Sequence, residues 1–253
     1  MADIKTINMT TIMEDTAIKA VIHDTINHEY SLTENESVVS VTQQSLRNIA
    51  YIKLFLKRMT DILLSLTAII ILLFPAAVIA CIIHAEDRGP VFYKSSRVGR
   101  NGRTFWIYKF RTMKQNADKL ENYLTEEELE EYHKVYKIKH DPRITKCGNW
   151  LRRTSLDELP QFFNVLTGDM SLVGPRPVTQ EETELYGPSR DQFLSVRPGI
   201  TGYWQAYARN GATYEGGERQ AMELFYIQNH SALLDIKILM RTVYAVLTQH
   251  EAS

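Results

Sequence analysis

Residues 151–177 decide how this chain is interpreted, and they read LRRTSLDELPQFFNVLTGDMSLVGPRP. Two arginines stand directly ahead of an acidic pair, Asp157 and Glu158. Basic groups beside carboxylates suit a site for phosphate, because arginine binds phosphate oxygens with two parallel hydrogen bonds and offsets their charge. The stretch therefore predicts a site where a carboxylate works next to an anion.

A purely structural interpretation accounts for the same letters. Residues 155–158 (SLDE) fit the S-x-x-E capping box, in which Glu158 reaches back to the N-cap residue. Pro160 would fall in the first helical turn, where a missing N–H costs little, and Gly168 would end the helix. Under this interpretation Asp157 is only a favourable charge near a helix N-terminus.

The longest apolar run lies upstream of this stretch. Residues 62–83 carry no charged side chain over 22 positions, which is enough for a helix that crosses a bilayer. Pro75 lies past the middle of the run and would break the hydrogen-bond ladder there. Basic residues flank both ends, and such flanks favour the cytoplasmic face. The sequence predicts a proline-bent, re-entrant membrane helix, with a buried core helix as the alternative.

Two further segments complete the predicted fold. Runs rich in β-formers at 91–93 and 105–110 flank Asn101-Gly102, a strong hairpin signal. Residues 225–247 place apolar side chains at helical spacing, with Lys237 and Arg241 on the polar side. This predicts an amphipathic helix that faces either the core or a bilayer surface. We predict a helix-rich α/β fold: one domain with a small hairpin, a re-entrant membrane helix and interfacial amphipathic helices.

Composition narrows the classes of function. The formal net charge is −1, so no overall basicity points to nucleic acid. The two cysteines form no disulfide framework, and the seven histidines lack zinc spacing. Residues 1–50 are rich in Thr, Asn, Glu and Ser, and we predict a polar extension that is loosely helical or disordered.

The order of the motifs resembles that of the bacterial sugar transferases, specifically the monotopic phosphoglycosyl transferases that prime polysaccharide or glycan assembly. The matching segments are Pro75 in the apolar run, 108–113 (YKFRTM), 151–161 (LRRTSLDELPQ), 163–166 (FNVL), 168–171 (GDMS), 173–177 (VGPRP) and 197–202 (RPGITG). The resemblance covers residues 51–250 and implies one membrane-associated catalytic domain there. Two positions depart from the family pattern: Phe74, where Ser is frequent, and residues 207–210 (YARN), where Asn-Gly-Arg-Asn is usual.

The resemblance also implies a mechanism. Asp157 would attack the β-phosphate of a UDP-sugar, giving a phosphosugar-aspartyl intermediate and UMP, and polyprenyl (undecaprenyl) phosphate would then take the phosphosugar. Asp157 and Glu158 would hold Mg²⁺. The substrate-binding residues implied are Arg152, Arg176, Lys109 and Arg209. A carboxylate that attacks a diphosphate needs the charge of that anion neutralised, and Mg²⁺ with basic side chains does this.

The partners implied are a UDP-sugar, polyprenyl phosphate and the cytoplasmic face of a bacterial cell membrane, with a homo-oligomer left open and no nucleic acid. Two alternatives stay open. The first is a non-catalytic, membrane-anchored partner in a glycan-assembly complex. The second is a glycosyltransferase that moves the sugar alone and releases UDP rather than UMP. The sugar itself is unassigned, because no motif specifies its pocket.

Overall fold

The structure, a computed structural model, describes residues 32–126, 129, 141–208, 214 and 216–248. The chain divides into two compact units, Met1–Phe55 and Leu56–Ser253. Of the predicted extension at 1–50, residues 1–31 lie outside the described part, and the rest belongs to a helix whose side chains are exposed from Arg47 to Phe55. The candidate site lies wholly within the second unit.

Helices dominate the described residues, as predicted, and the β-structure there is limited to two small sheets. The helices are α1 (Leu32–Asp87), α2 (Lys146–Thr154), α3 (Gln161–Thr167), α4 (Gln180–Thr183), α5 (Arg190–Phe193), α6 (Tyr203–Tyr207), α7 (Glu218–Asn229) and α8 (Ala232–Thr248). The strands are β1 (Phe92–Val98), β2 (Thr104–Phe110), β3 (Ser171–Val173) and β4 (Gly199–Thr201).

Helix α1 contains the predicted membrane segment. Its stretch Arg47–Asp87 is long and apolar enough to cross a membrane, and no other helix among the described residues is. As a straight helix, residues 62–83 would be about 33 Å long, close to the ~30 Å hydrocarbon core of a bilayer. The helix continues through Pro75, and the neighbouring Phe74 is exposed. The predicted apolar helix is confirmed, while its re-entrant course stays a prediction.

Polar side chains just before the apolar run attach α1 to the rest of the unit. Arg58 donates from Nη1 to the Val165 carbonyl at 2.6 Å and from Nη2 to the Leu166 carbonyl at 3.0 Å. These are carbonyls of the last turn of α3, where a cation is electrostatically favoured. The buried Asp61 accepts from the backbone N–H of Leu172 at 3.1 Å. The N-terminal end of the apolar run is thus bonded to α3 and β3.

The other end of the run is attached to the same unit. Asp87 receives a two-bond ion pair from Arg111, with Nη1 and Oδ2 2.6 Å apart. One turn earlier, Ile83 packs in a small apolar cluster with Phe110 and Leu151. Both ends of α1's apolar run therefore contact one folded body, while the side chains around its middle are largely exposed.

The predicted hairpin is confirmed. Strands β1 and β2 pair antiparallel, from Phe92 opposite Phe110 to Val98 opposite Thr104. In the turn, Asn101 and Gly102 have φ angles of 58° and 74°, the left-handed region that these two residues adopt most readily. Strand β1 runs further than the predicted 91–93, because it pairs along the whole length of β2.

A parallel pairing joins two proline-containing turns that are distant in sequence. Strands β3 and β4 pair through Ser171 with Gly199 and Val173 with Thr201. The backbone N–H of Gly199 also donates to the Pro175 carbonyl, in the turn that follows β3, at 2.8 Å. A Cβ on Gly199 would collide with the Gly174 backbone, so only glycine allows this approach. The turn that carries Arg176 is therefore fixed by backbone hydrogen bonds to β4.

Helix α8 contacts the protein through the buried Ile238 and through some of its polar side chains, and it leaves part of its apolar surface exposed. Asp235 pairs with Lys57 at 2.7 Å, and Arg241 Nε donates to the Ala206 carbonyl at 2.8 Å. A row of apolar side chains is exposed instead: Leu233, Ile236, Met240, Val243 and Tyr244. The predicted helix is present, and Lys237 and Arg241 are exposed side chains on it. The bond to the Ala206 carbonyl also holds Arg241 against α6.

A single buried amide holds the hairpin to α3. Asn164, fully buried, donates from Nδ2 to the Trp106 carbonyl at 2.7 Å and accepts at Oδ1 from the Tyr108 N–H at 3.1 Å. Its side chain thus occupies the free edge of β2 as a neighbouring strand would. The hairpin is therefore held to α3 by these two hydrogen bonds as well as by apolar packing of Ile107 and Val165 in one buried cluster.

We expect Asn164→Leu to lower the unfolding temperature by roughly 5–15 °C, because two backbone groups lose their partner in a buried place. Thermal unfolding of the full chain in detergent, followed by circular dichroism, measures the change. Asn149→Leu on the exposed face of α2 is the matched control. Equal effects at both positions would contradict the proposed role of the buried amide.

Candidate active site

Asp157 and Glu158 lie on a short 3-10 turn, Leu156–Glu158, between helices α2 and α3. Ser155 ends α2 in the left-handed conformation, with φ of 58°, and its side chain makes no capping hydrogen bond. An N-cap residue needs extended dihedral angles and a side-chain bond into the first turn. The capping-box interpretation is therefore wrong, and α3 begins only at Gln161, after Pro160.

Asp157 is a buried carboxyl group whose pKa is affected in opposite directions by its surroundings. It is 9 % exposed. Burial raises its pKa above the ordinary value, and the charge of the adjacent Glu158 adds to the increase. The positive charges of Lys109 and Arg152 act in the opposite direction. A desolvated carboxylate that faces specific cations is a typical feature of functional sites.

Lys109 approaches the acidic pair from strand β2. Its Nζ lies 2.7 Å from Glu158 Oε1 and 4.0 Å from Asp157 Oδ2. The lysine came from a motif that is distant in sequence, and the hairpin brings it to both carboxylates. An ammonium group here can also contact a phosphate that approaches Asp157.

Arg152 is oriented by Thr112, a residue of the matching segment 108–113 to which the sequence assigned no role. Its Nε donates to Thr112 Oγ1 at 2.9 Å. Behind it, Asp141 and Arg143 form a buried ion pair with N–O distances of 2.8 and 2.6 Å. The Asp141 carboxylate also attracts the Arg152 guanidinium electrostatically. From the sequence, residues 141–143 were interpreted only as the end of a helical segment. The opposite charges on either side of Pro142 could have suggested the ion pair.

Arg176 belongs to a different cluster. Its backbone N–H donates to Glu223 Oε1 at 3.3 Å, and its guanidinium carbon lies 5.9 Å from the centre of the Trp204 ring. Glu223 is 1 % exposed and also accepts from the Tyr186 hydroxyl at 2.6 Å. Within the described part of the chain, no hydrogen bond or ion pair joins Arg176 to Asp157. The structure therefore brings Arg152 and Lys109 to the acidic pair, but places Arg176 in a second polar cluster.

Two members of this second cluster were missed from the sequence. Arg219 and Glu223 share the buried face of α7 with Tyr226 and Ile227. Glu223 follows Arg219 by four residues, and Tyr226 and Ile227 follow Glu223 by three and four residues. This is helical spacing, so periodicity alone could have indicated a buried charged pair. Arg209, the fourth predicted substrate-binding residue, lies outside the described residues.

The acidic pair fits the ligands that Mg²⁺ takes when it is bound with a phosphate substrate. In the described parts of the chain, no group of three or more His, Cys, Asp and Glu side chains could hold a metal ion. Mg²⁺ that shares a phosphate needs only one or two protein carboxylates, and Asp157 and Glu158 are two adjacent ones. A cation would also relieve the repulsion by Glu158 that, after burial, raises the pKa of Asp157.

Comparisons with known proteins agree on one family. A family model described as bacterial sugar transferase matches residues 52–249. The exopolysaccharide production protein ExoY of Sinorhizobium fredii is 41 % identical over 193 residues, which cover 75 % of this chain and 84 % of the relative.

Two longer relatives carry names that describe an activity. The undecaprenyl-phosphate galactose phosphotransferase of Salmonella typhimurium is 43 % identical over 201 residues, 78 % of this chain and 42 % of the relative. The UDP-glucose:undecaprenyl-phosphate glucose-1-phosphate transferase of Escherichia coli is 40 % identical over 199 residues, 75 % of this chain and 39 % of the relative. The chain spans less than half the length of these two proteins.

We expect Asp157→Asn to raise the unfolding temperature near neutral pH, because it removes a carboxylate that burial destabilises. The raised pKa means that the folded state holds this proton more tightly than the unfolded state. At high pH the ionised Asp157 therefore destabilises the folded state. This destabilisation disappears as the pH falls to 3.8, the ordinary pKa of an aspartate in the unfolded chain. The advantage of Asp157→Asn should accordingly shrink as the pH is lowered.

Unfolding temperatures of the two proteins between acid and neutral pH measure this effect. The exposed Asp118→Asn is the control and should change stability little throughout. If Asp157→Asn destabilised the protein at neutral pH, attraction by Lys109 and Arg152 would outweigh burial, contrary to the expectation.

Proposed function

The chain belongs to the bacterial sugar transferase family, and from this membership we propose that it transfers sugar 1-phosphate from a UDP-sugar to polyprenyl phosphate. The products are UMP and a polyprenyl diphosphosugar, which starts the synthesis of an exopolysaccharide, capsule or other glycan. The names of the two phosphotransferase relatives support the substrate classes.

The observation that carries the proposal is the arrangement around Asp157. A buried carboxylate with a raised pKa is a stronger base and nucleophile, once ionised, than a solvated one. Lys109 and Arg152 face it, and their charges favour the ionised form that can attack. A carboxylate that served only a helix cap would need none of these groups, and the cap is not formed.

In the proposed first step, a carboxylate oxygen of Asp157 attacks the β-phosphorus of the UDP-sugar. The bond between that phosphorus and the bridging oxygen breaks, and UMP leaves with the oxygen and its electron pair. The product on the protein is an aspartyl phosphosugar. Lys109 and Arg152 offset the negative charge that the attacked phosphoryl group and the leaving UMP carry.

In the proposed second step, a phosphate oxygen of polyprenyl phosphate attacks the same phosphorus. The bond to Asp157 breaks, and the free carboxylate is restored without net uptake of a proton. Glu158 keeps the Lys109 ammonium beside the site through their 2.7 Å ion pair. Two steps at one carboxylate allow a soluble donor and a lipid acceptor to use the site in turn.

We also propose that Asp157 and Glu158 hold Mg²⁺. When bound, the ion would neutralise charge on the diphosphate and polarise it as a Lewis acid. Arg176 would bind phosphate through its guanidinium, which makes no hydrogen bond within the described residues.

The attachment of α1 supports a re-entrant course and a cytoplasmic location. Arg58, before the apolar run, and Asp87, after it, are both bonded to the folded body that carries the charged site. A straight crossing would separate these ends by a hydrocarbon core of ~30 Å, which a polar body cannot enter. Entry and exit on one face satisfies both attachments, and UDP-sugars place that face in the cytoplasm. The exposed apolar row of α8 would lie in the bilayer interface.

We expect Asp157→Asn to abolish turnover and to leave the fold intact, because a neutral amide is a poor attacking group. In a rapid-quench assay with Mg²⁺, a panel of UDP-sugars and no lipid, the wild-type protein should release UMP in a burst close to one per active enzyme. Mass spectrometry should then find the phosphosugar on the peptide that contains Asp157.

The control for this assay is the exposed Asp118→Asn, which should keep the full burst. Full activity in the presence of lipid without any burst would refute the two-step mechanism in favour of direct transfer. Release of UDP in place of UMP would identify a glycosyltransferase that moves the sugar alone. An unreactive wild-type protein under all conditions would favour a non-catalytic partner.

We expect cysteines placed on the two sides of the apolar run, Ala50→Cys and Ser96→Cys, to resist an impermeant thiol reagent in intact cells. Both should react once the membrane is permeabilised, because both flanks would face the cytoplasm. The background is Cys81→Ser with Cys147→Ser, since the sequence has two cysteines.

Pro75→Leu is the informative companion variant. It restores the missing backbone donor and should favour a straight crossing, so that one of the two cysteines becomes reactive in intact cells. Strong labelling of either position without this substitution would sink the re-entrant topology.

A further inference from the structure

The cluster around Trp204 contains buried hydrogen-bond donors that find no acceptor among the described residues. Arg219 and Trp204 are each 9 % exposed. Within that part of the chain, the Nε and Nη2 groups of Arg219 and the Nε1 group of Trp204 have no hydrogen-bond partner. A buried donor left unpaired destabilises the fold, and a charged one does so more strongly, so three together indicate that an acceptor normally occupies this place.

The geometry of Arg219 indicates what kind of acceptor it needs. Nε and Nη2 lie on one edge of the guanidinium and point their hydrogens in parallel, which matches two oxygens of a phosphate or carboxylate. The Arg219 guanidinium carbon lies 4.0 Å from the centre of the Trp204 ring and 3.9 Å from the centre of the Tyr214 ring. Aromatic rings this close offer the guanidinium cation–π contact but no hydrogen-bond acceptor for its N–H groups.

The carboxylate within the cluster does not satisfy this edge. Glu223 Oε1 lies 3.8 Å from Arg219 Nε, too far for a hydrogen bond. Glu223 instead accepts from the Tyr186 hydroxyl at 2.6 Å and from the Arg176 N–H at 3.3 Å. Arg176 brings a second guanidinium to the same indole ring, at 5.9 Å. Two guanidinium groups and the Glu223 carboxylate thus meet around one indole ring.

We propose that Arg219, Trp204 and Arg176 form a phosphate-binding site in which the Arg219 edge and the indole N–H hold the phosphate oxygens. Only the identity of the phosphate compound rests on the proposed transfer reaction. A sugar nucleotide or UMP and the lipid phosphate share this chemistry.

Trp204 itself reports on the site. The sequence has three tryptophans, and Trp106→Phe with Trp150→Phe leaves Trp204 as the single one. The full chain with these changes and Asp157→Asn would be placed in nanodiscs and titrated, without turnover, with inorganic phosphate, UMP, a UDP-sugar and neutral uridine. We expect saturable changes in fluorescence with the phosphate compounds and none with uridine. A second arm compares polyprenyl phosphate with polyprenol incorporated in the nanodisc.

A response to UMP and UDP-sugar would place the donor here, and a response to polyprenyl phosphate alone would place the acceptor here. Either supports the site. No response to any phosphate compound would overturn it. The titration does not depend on turnover. If the wild-type protein gave no UMP burst in the rapid-quench assay, the two-step mechanism would be refuted, but binding of phosphate measured here would still support the site.

Two variants separate anion binding from a plain Arg219–Glu223 ion pair. Arg219→Lys keeps the charge but loses the parallel N–H groups, so phosphate should bind at least about tenfold more weakly. Glu223→Gln keeps the acceptor for Tyr186 but removes the competing negative charge, so phosphate should bind more tightly. The exposed Arg103→Lys is the matched control and should change neither value.

Unchanged affinity in both variants would refute the assignment and leave Arg219 as a structural ion-pair partner. Unfolding curves identify a variant that fails to fold. If Arg219→Lys failed to fold, the other two measurements would test the site. Tighter phosphate binding in Glu223→Gln and a response to UMP but not to uridine would support it, and the opposite results would refute it.

Discussion

The attachment of α1 at both ends of its apolar run is the constraint on which the other parts of the second unit depend. Arg58 supplies donors to the last carbonyls of α3, and Asp87 holds Arg111 at the end of β2. The acidic turn leads into helix α3, and strand β2 carries Lys109. The bonds that hold the apolar helix to the polar body therefore act on the same two elements that Asn164 and the Lys109–Glu158 pair join directly.

The acidic turn shows how burial and charge are balanced at one carboxyl group. Desolvation alone would favour a neutral Asp157, and a neutral carboxylic acid does not attack phosphorus. Lys109 and Arg152 oppose that tendency without a direct hydrogen bond to Asp157, since Lys109 is 4.0 Å from it and bonds Glu158 instead. The carboxylate oxygens of Asp157 are thus left available, and the neighbouring charges favour their ionised form.

The second polar cluster owes its position to backbone packing. Strand β4 can approach β3 closely because Gly174 and Gly199 have no side chains, and this approach fixes the turn that carries Arg176. Helix α7 then brings Glu223 and Arg219 under that turn. Two guanidinium groups lie near one indole ring, and Glu223 is too far from Arg219 Nε to accept a hydrogen bond, which agrees with a place for phosphate beside Trp204.

Local patterns in the sequence were sufficient for the elements whose cause is local. The hairpin followed from Asn101-Gly102, the apolar helix from a run without charge, and the family from motifs in a fixed order. The same local reasoning failed at Ser155, where the S-x-x-E pattern suited a cap but the left-handed backbone between α2 and α3 prevented it. A helical wheel places Arg241 on the polar side of its helix, but it does not reveal the bond to a distant carbonyl in α6. Pairing of Lys109 with Glu158, of Arg152 with Thr112 and of Arg176 with Glu223 was decided only by the tertiary structure. Residues far apart in the chain meet through packing, and hydrogen bonds and charges act over a few ångströms of space, whatever the separation in sequence.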